Sequence, residues 1–365
     1  MAFEAGNFTA SELQAEVQAK IDILATDTTQ KHLIKETSII NELYTQPNLL
    51  AQTPEQQAFF SDARRCADLK VSWLSDGDTA EPVEAGTTPF CDPDGPEIGS
   101  DSVTYPKPGG IEKTFKVLTD VCKNKFSFAE KVAYAMMSKR ALLVDYLEKQ
   151  GIAFTVSNAD DLTGVTPPKG AVAGSVWNIG AVDPEADSRE AVKDLIHVSH
   201  FAQDQRMISP VMLMGNRFRY EDALFQATAG QLNTVDGFGS LLTRGVPIVR
   251  DVFNLDAATT SQDILLVDRR AVSYINYTWA QNTQARNEKM MLNHPVQYYI
   301  NDPVIRVWDP VKRAIVPFKW DITAVWKCNE YNQYAVIYTI TARGGYLKMP
   351  KDATNKPQIA HIKFA

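Results

Sequence analysis

The sequence predicts an α+β protein, with helices in its first part and antiparallel strands at its end. Three observations carry this. Residues 127–150 repeat apolar side chains at helical spacing, and residues 320–340 alternate apolar and polar with a period of two. Between the leading helices and these runs, residues 75–110 break both patterns with six prolines and six glycines. At 365 residues the chain exceeds the roughly 250–300 at which one core stops growing, so two or more sub-domains are expected.

The first seventy residues carry three helix starts. Thr9-Ala10-Ser11-Glu12 is a capping box, in which the hydroxyl accepts from an exposed N–H and the glutamate reaches back. Leu13, Val17, Ile21 and Leu24 follow at helical spacing. Asp27-Thr28-Thr29-Gln30 opens a second helix running to about Tyr44. Thr53-Pro54-Glu55-Gln56 opens a third, with proline where its missing N–H costs nothing and Phe59, Ala63 and Cys66 on one face. The apolar stripes are narrow and the links polar. That pattern fits an arm lying on other molecules, or an ordinary helical subdomain.

From Ser75 to Gly110 there are eight acidic residues and one lysine, a net of −7, which is the net charge of the whole protein. A segment so rich in breakers cannot build its own core, and structureless loops beyond about 12–15 residues are usually functional or disordered. Flanking strands at 71–74 and 101–105 make it a two-stranded finger, ordered by a neighbouring molecule or else a solvated insertion.

Ser127-Phe128-Ala129-Glu130 is another capping box. Phe128, Val132, Met136, Leu143 and Leu147 share one face, with Ala135, Leu142 and Tyr146 beside them; Lys149 falls in the last turn and Gly151 is read as the stop. Residues 152–187 read as a strand and irregular connections. Asp187-Ser188-Arg189-Glu190 starts a helix with Val192, Leu195, Ile196 and Ser199 inward. An apolar run at 210–214 leads into a helix near 217–229. Strands are expected at 246–249, 264–267, 272–277 and 304–308. In the final hairpin, Trp320, Ile322, Ala324 and Trp326 face one way, answered by Tyr334, Val336, Tyr338 and Ile340.

Composition excludes several classes. A net charge of −7 argues against gripping nucleic acid through a basic surface, although a container need not grip its cargo. The N-terminus lacks a basic stretch followed by an apolar one, so no secretory signal is read. No apolar run approaches the roughly 20 residues of a membrane helix. The four cysteines, at 66, 91, 122 and 328, form no C-x-x-C pair and read as reduced thiols.

Catalytic motifs are missing as well. There is no phosphate-cradling G-x-x-x-x-G-K-[ST] and no G-x-S-x-G elbow, and Gly237-Phe238-Gly239 fails as a dinucleotide motif because Leu242 holds the third glycine position. His197 and His200, three apart on a helix, make half a metal site; Asp194 or His294 would have to complete it. Asp92, Asp94, Glu97 and Asp101 offer hard oxygens for Ca²⁺, but Glu97 stands where an EF-hand loop needs glycine. No catalytic, cofactor or metal residue is therefore assigned. The residues expected to meet other subunits are Asp76, Asp78, Glu81, Glu84, Asp92, Asp94, Glu97, Asp101 and Lys107 of the finger. Arg64, Arg65, Arg217 and Arg219 are candidate basic partners, as are Arg269-Arg270 and Lys312-Arg313.

The order of elements (helical start, Pro/Gly-rich finger, long amphipathic helix, mixed region, C-terminal hairpin) resembles the major capsid proteins of tailed bacteriophages, the Hong Kong ninety-seven type fold that encapsulins also use. Ser209-Pro210-Val211-Met212-Leu213-Met214-Gly215-Asn216 before a helix is similar to the strand-to-helix passage of capsid axial domains. Residues 245–249 and 263–272 are similar to the paired strands that follow it. The resemblance implies an N-terminal arm at 1–68 and an extended loop at 69–112. It implies a peripheral domain from 113–151 and 311–365 with spine helix 127–150, and an axial domain at 152–310. It further implies a non-enzymatic subunit without cofactors that self-assembles into hexamers and pentamers. These would form an icosahedral or prolate shell around double-stranded DNA, in the virion, assembled in host cytoplasm without a membrane. Scaffold, portal and decoration proteins are the implied partners; Met1 fits a scaffold that is a separate protein or none. A crosslinking role is not carried over to Lys107. The alternatives are another virion protein, such as a tail-tube or sheath subunit, and a cytosolic metal-dependent enzyme using His197 and His200.

Overall fold

The computed structural model describes residues 9–26, 41, 43–45, 69–75, 97–103, 110–118, 127–180, 188–214, 246–250, 263–276, 278, 291–309, 311–328, 334–349 and 356–363. Helix α1 (Ala10–Thr26) opens on the expected capping box: Thr9 Oγ1 accepts from the Glu12 N–H at 3.3 Å, and Glu12 Oε2 accepts from the Thr9 N–H at 2.9 Å. Leu13, Val17 and Ile21 recur every fourth residue and are buried. They pack against helix α2 (Phe128–Ser157) and strand β10 (Pro295–Asp309).

The narrow stripe of the first helix belongs to the main core of its own chain. Three side chains suffice because each is fully withdrawn from water, worth about 1.5–3 kcal/mol apiece. The second and third expected helices lie outside the described residues, apart from Asn41 and the buried Leu43 and Tyr44.

Helix α2 has both halves of its capping box, with Ser127 Oγ accepting from the Glu130 N–H at 3.2 Å and the Ser127 N–H donating to Glu130 Oε2 at 2.8 Å. Its 30 residues make a rod of about 45 Å. It runs past Gly151, which is not the stop the sequence predicts. A Cβ there would come 3.0 Å from Tyr44 Oη and 3.1 Å from Tyr346 Cε1, so glycine serves close approach rather than termination. Ile152 and Thr155 continue the buried face, and Asn158 ends the helix, its N–H and Nδ2 both donating to Phe154 O.

Two main sheets flank this helix core. The first is antiparallel, ordered β10, β11 (Ala314–Cys328), β12 (Tyr334–Lys348), β3 (Gly110–Leu118), with β9 (Val272–Asn276) on the far half of β12. The predicted hairpin is its centre: Ile322 pairs Ile340, and Ala324 pairs Tyr338, all four buried. The second sheet is mixed, ordered β4 (Ala171–Ala173), β5 (Val176–Asn178), β13 (Ile359–Lys363), β8 (Asp263–Asp268), β6 (Pro210–Met214), β7 (Ile248–Arg250).

The second sheet is covered on both sides, which explains its short uninterrupted apolar runs. Leu265 and Val267 of β8 face the main core, while Ile264 and Leu266 face a second core. There they meet Leu195, Val198, Phe201 and Ala202 of helix α3 (Ser188–Asp204). The inner face of α3 thus runs through 195, 198, 201 and 202 with Ser199, whereas Ile196 is only half-buried.

The sheets interleave in sequence. Strand β10 (residues 295–309) pairs in the first sheet, and β13, the last strand, inserts between β5 and β8 in the second. The chain division at 310/311 therefore does not separate the sheets. The helix expected near 217–229 lies outside the described residues.

Candidate functional site

Strands β1 (Leu69–Ser75) and β2 (Glu97–Val103) form the expected finger base, antiparallel, with Leu69 opposite Val103 and Ser75 opposite Glu97. They pair with each other and with no other described strand. Among the predicted contact residues, Glu97 and Asp101 sit in β2, opposite Ser75 and Val71. Asp76, Asp78, Glu81, Glu84, Asp92, Asp94, Lys107, Arg64, Arg65, Arg217 and Arg219 lie outside the described residues. Of the other basic pairs, Arg269 and Arg270 open a 3₁₀ turn after β8, and Lys312 and Arg313 form the exposed β10–β11 turn.

A buried ion pair that is not singled out from the sequence fixes α2 to the first sheet. Asp302 is buried at a register shift in β10 and accepts five hydrogen bonds: Arg140 Nε and Nη2 (2.8 Å for the latter), Trp320 Nε1 (2.8 Å), and the N–H groups of Val304 (2.8 Å) and Ile305 (2.7 Å). Arg140 was findable. It stands four after Met136 and three before Leu143, on the apolar face, where a cation needs a partner.

The outer edge of β10 is closed by side-chain amides. Gln18 Nε2 donates to Asn301 O (3.1 Å) while the Asn301 N–H donates to Gln18 Oε1 (2.8 Å); Asn41 repeats this with Val304 O (3.3 Å) and the Arg306 N–H (3.0 Å). The Trp308 N–H then donates to Tyr44 O at 2.9 Å. Each amide imitates a neighbouring strand's peptide group, so this edge offers few free groups for further pairing.

The outward face of α2 differs. Tyr134, Leu142 and Tyr146 are exposed (45%, 53% and 48%), although Leu142 and Tyr146 adjoin the buried stripe in sequence. Lys131, Lys139 and Lys149 lie among them, half-buried to exposed. At the helix start, the Lys20 ammonium, 2.9 Å away, and the Ser127 N–H hold the Glu130 carboxyl below its ordinary range.

His197 and His200 lie on α3 with ring centroids 6.5 Å apart. The side chain of Asp194 lies outside the described residues, and His294 is exposed just before β10. Among the described residues no three His, Cys, Asp or Glu side chains gather as a metal ion would require. No described helix is long and apolar enough to cross a membrane.

No family model matches the sequence, and no curated protein matches it. Among solved structures, the chain is similar to one from Mycobacterium phage Adephagia, at 12% identity and TM-score 0.44, covering 91% of each chain. It is similar to the capsid structure of the cyanophage P-SCSP1u at 7% identity and TM-score 0.44, covering 91% of this chain and 90% of that one. A third is the asymmetric unit of the bacteriophage PhiM1 mature capsid, at 10% identity and TM-score 0.42, covering 91% and 88%.

Proposed function

We propose that this chain is a shell-forming subunit, the major capsid protein of a tailed phage, and that it has no catalytic role. It assembles into hexamers and pentamers of an icosahedral or prolate head around double-stranded DNA, in company with portal, scaffold and decoration proteins. Residues 69–112 form the extended loop. The first sheet with α2 forms the peripheral part, and the second sheet with α3 the axial part.

The observation that carries this reading is the finger. A two-stranded ribbon is marginal in water by itself, and β1 and β2 pair with no other described strand. The segment 75–110, which includes β2, carries a net charge of −7, equal to that of the whole protein. Such a projection gains most of its stability from another copy, and obligate interfaces of this kind exceed about 2,000 Å² in total. Helix α2, about 45 Å long, packs on β12 and β3 of the first sheet.

Size-exclusion chromatography with light scattering tests the proposal. Capsomers or megadalton particles are expected. A 40.6 kDa monomer under all conditions, with or without co-expressed neighbours from its own genome, contradicts it. Helical tubes would instead favour a tail-tube or sheath subunit.

A further inference from the structure

We infer that β3 is a pairing edge that joins the first sheets of two copies of this chain, through an antiparallel β3–β3 contact about a two-fold axis at Thr114. The inference rests on the reading above that copies of the chain assemble, and it names one contact by which they meet. The two edges of the first sheet differ. The β10 edge has a register shift and is capped by Gln18, Asn41 and the Tyr44 carbonyl. Strand β3 stays in register with β12 for nine residues, from Gly110 opposite Arg343 to Leu118 opposite Ala335, and contains no proline. No other described strand pairs with it. A long regular edge is a template for a further strand unless something blunts it.

The sequence of β3 identifies the occupant. Residues directly opposite one another in a sheet share a face, so a two-fold axis must pass through a residue. About Thr114, position 112 meets 116, 113 meets 115 and 111 meets 117, and all nine residues overlap over about 30 Å. Glu112 then stands opposite Lys116 twice, and Ile111 opposite Val117 twice. The apolar layer that holds buried Phe115 and Val117 thereby runs on into the second copy. An axis at residue 113 sets lysine against lysine, and one at residue 115 sets Glu112 against Leu118. Lys113, Thr114 and Lys116 are exposed. Lysines on an edge repel most incoming strands. In this one register the strand supplies its own counter-charge, so the same residues admit a second copy and refuse other partners. The axis stands perpendicular to the sheet and leaves α2 of both copies on the same face.

The test uses full-length protein, and thermal melts check that each variant folds. In Thr114→Cys the two thiols face each other across the axis, with α-carbons about 4.5–5.5 Å apart and within disulfide reach. In Lys113→Cys they stand on a diagonal of about 7–8 Å, beyond that reach. Mild oxidation, read by mass spectrometry of the crosslinked peptides, is expected to give about tenfold more self-crosslink at position 114 than at position 113. A second measurement reads charge. Lys116→Glu sets glutamate against glutamate twice and is expected to cut the sedimenting fraction about tenfold, whereas E112K/K116E exchanges the charges and is expected to recover it. A wild-type chain that assembles while position 114 crosslinks no better than position 113 overturns the inference and leaves the shell reading standing. So does a Lys116→Glu variant that sediments like wild type, or an exchanged pair that fails to recover. A wild-type chain that never leaves the monomer overturns the shell reading and this inference together.

Discussion

Arg140 and Asp302, 162 residues apart in sequence, close a buried ion pair that pins the middle of α2 to the irregular stretch of β10. Both side chains are at most 2% exposed, so neither charge is left to water. Asp302→Ala strands the guanidinium and is expected to cost about 3–5 kcal/mol. Arg140→Met combined with Asp302→Leu removes both charges and is expected to recover much of that. Urea unfolding of the single and double variants checks it; equal losses in both would contradict the pairing.

Gly151→Ala is expected to destabilise, although alanine gains about 1 kcal/mol in an exposed helix interior. The added Cβ meets Tyr44 Oη and Tyr346, and these rings are held by Tyr274 and Phe154. Overpacking of this sort costs about 1–3 kcal/mol. Tyr44→Phe removes the nearest atom, so a double-mutant cycle is expected to show Gly151→Ala better tolerated in that background.

Gln18→Leu preserves the size of the side chain but leaves the Asn301 N–H and carbonyl without their amide partner. The expected cost is about 1–3 kcal/mol, with the Asn301 amide exchanging its hydrogen faster than in wild type. Unchanged exchange would show that Gln18 does not close the β10 edge.

Burial raises the phenols of Tyr298 and Tyr338 well above their usual range, and the two rings reinforce each other at Tyr338. The folded chain therefore keeps protons that the unfolded chain releases from about pH 10 upward. Stability is expected to be insensitive to these groups below that pH and to fall above it. Urea midpoints between pH 8 and 11.5, followed with phenolate absorbance, check the sign. Ionisation of these tyrosines before unfolding would contradict it.

Much of the fold is legible in the sequence, because local rules and tertiary needs agree there. The capping boxes at Thr9 and Ser127 start helices where expected, and the alternation from Trp320 to Trp326 predicts a strand buried on one face. Elsewhere the two part. Gly151 obeys the local rule for a helix stop, yet its role is set by Tyr346, 195 positions away. In 295–303, Val296, Tyr298, Ile300 and Asp302 are buried in alternation, but the fourth of these inward positions holds a carboxylate that binds Arg140, which masks the apolar pattern. Strand β13 is five residues long, too short for a period to show, and gains its place only from β5 and β8 on either side. The narrow stripe of α1 looks insufficient until α2 and β10 supply its other walls. For the candidate site, the finger shows in its composition, whereas the exposed face of α2 does not. Leu142 and Tyr146 look like core residues until the helix is placed on its sheet.

The central claim is that copies of this chain hold one another's acidic fingers and so close a shell. Negative-stain micrographs of wild-type protein beside a variant lacking residues 78–100 test it most directly. The account predicts closed particles from the wild type and, from the variant, a folded subunit with an unchanged thermal transition and no particles. Normal particles from the deleted chain would contradict it.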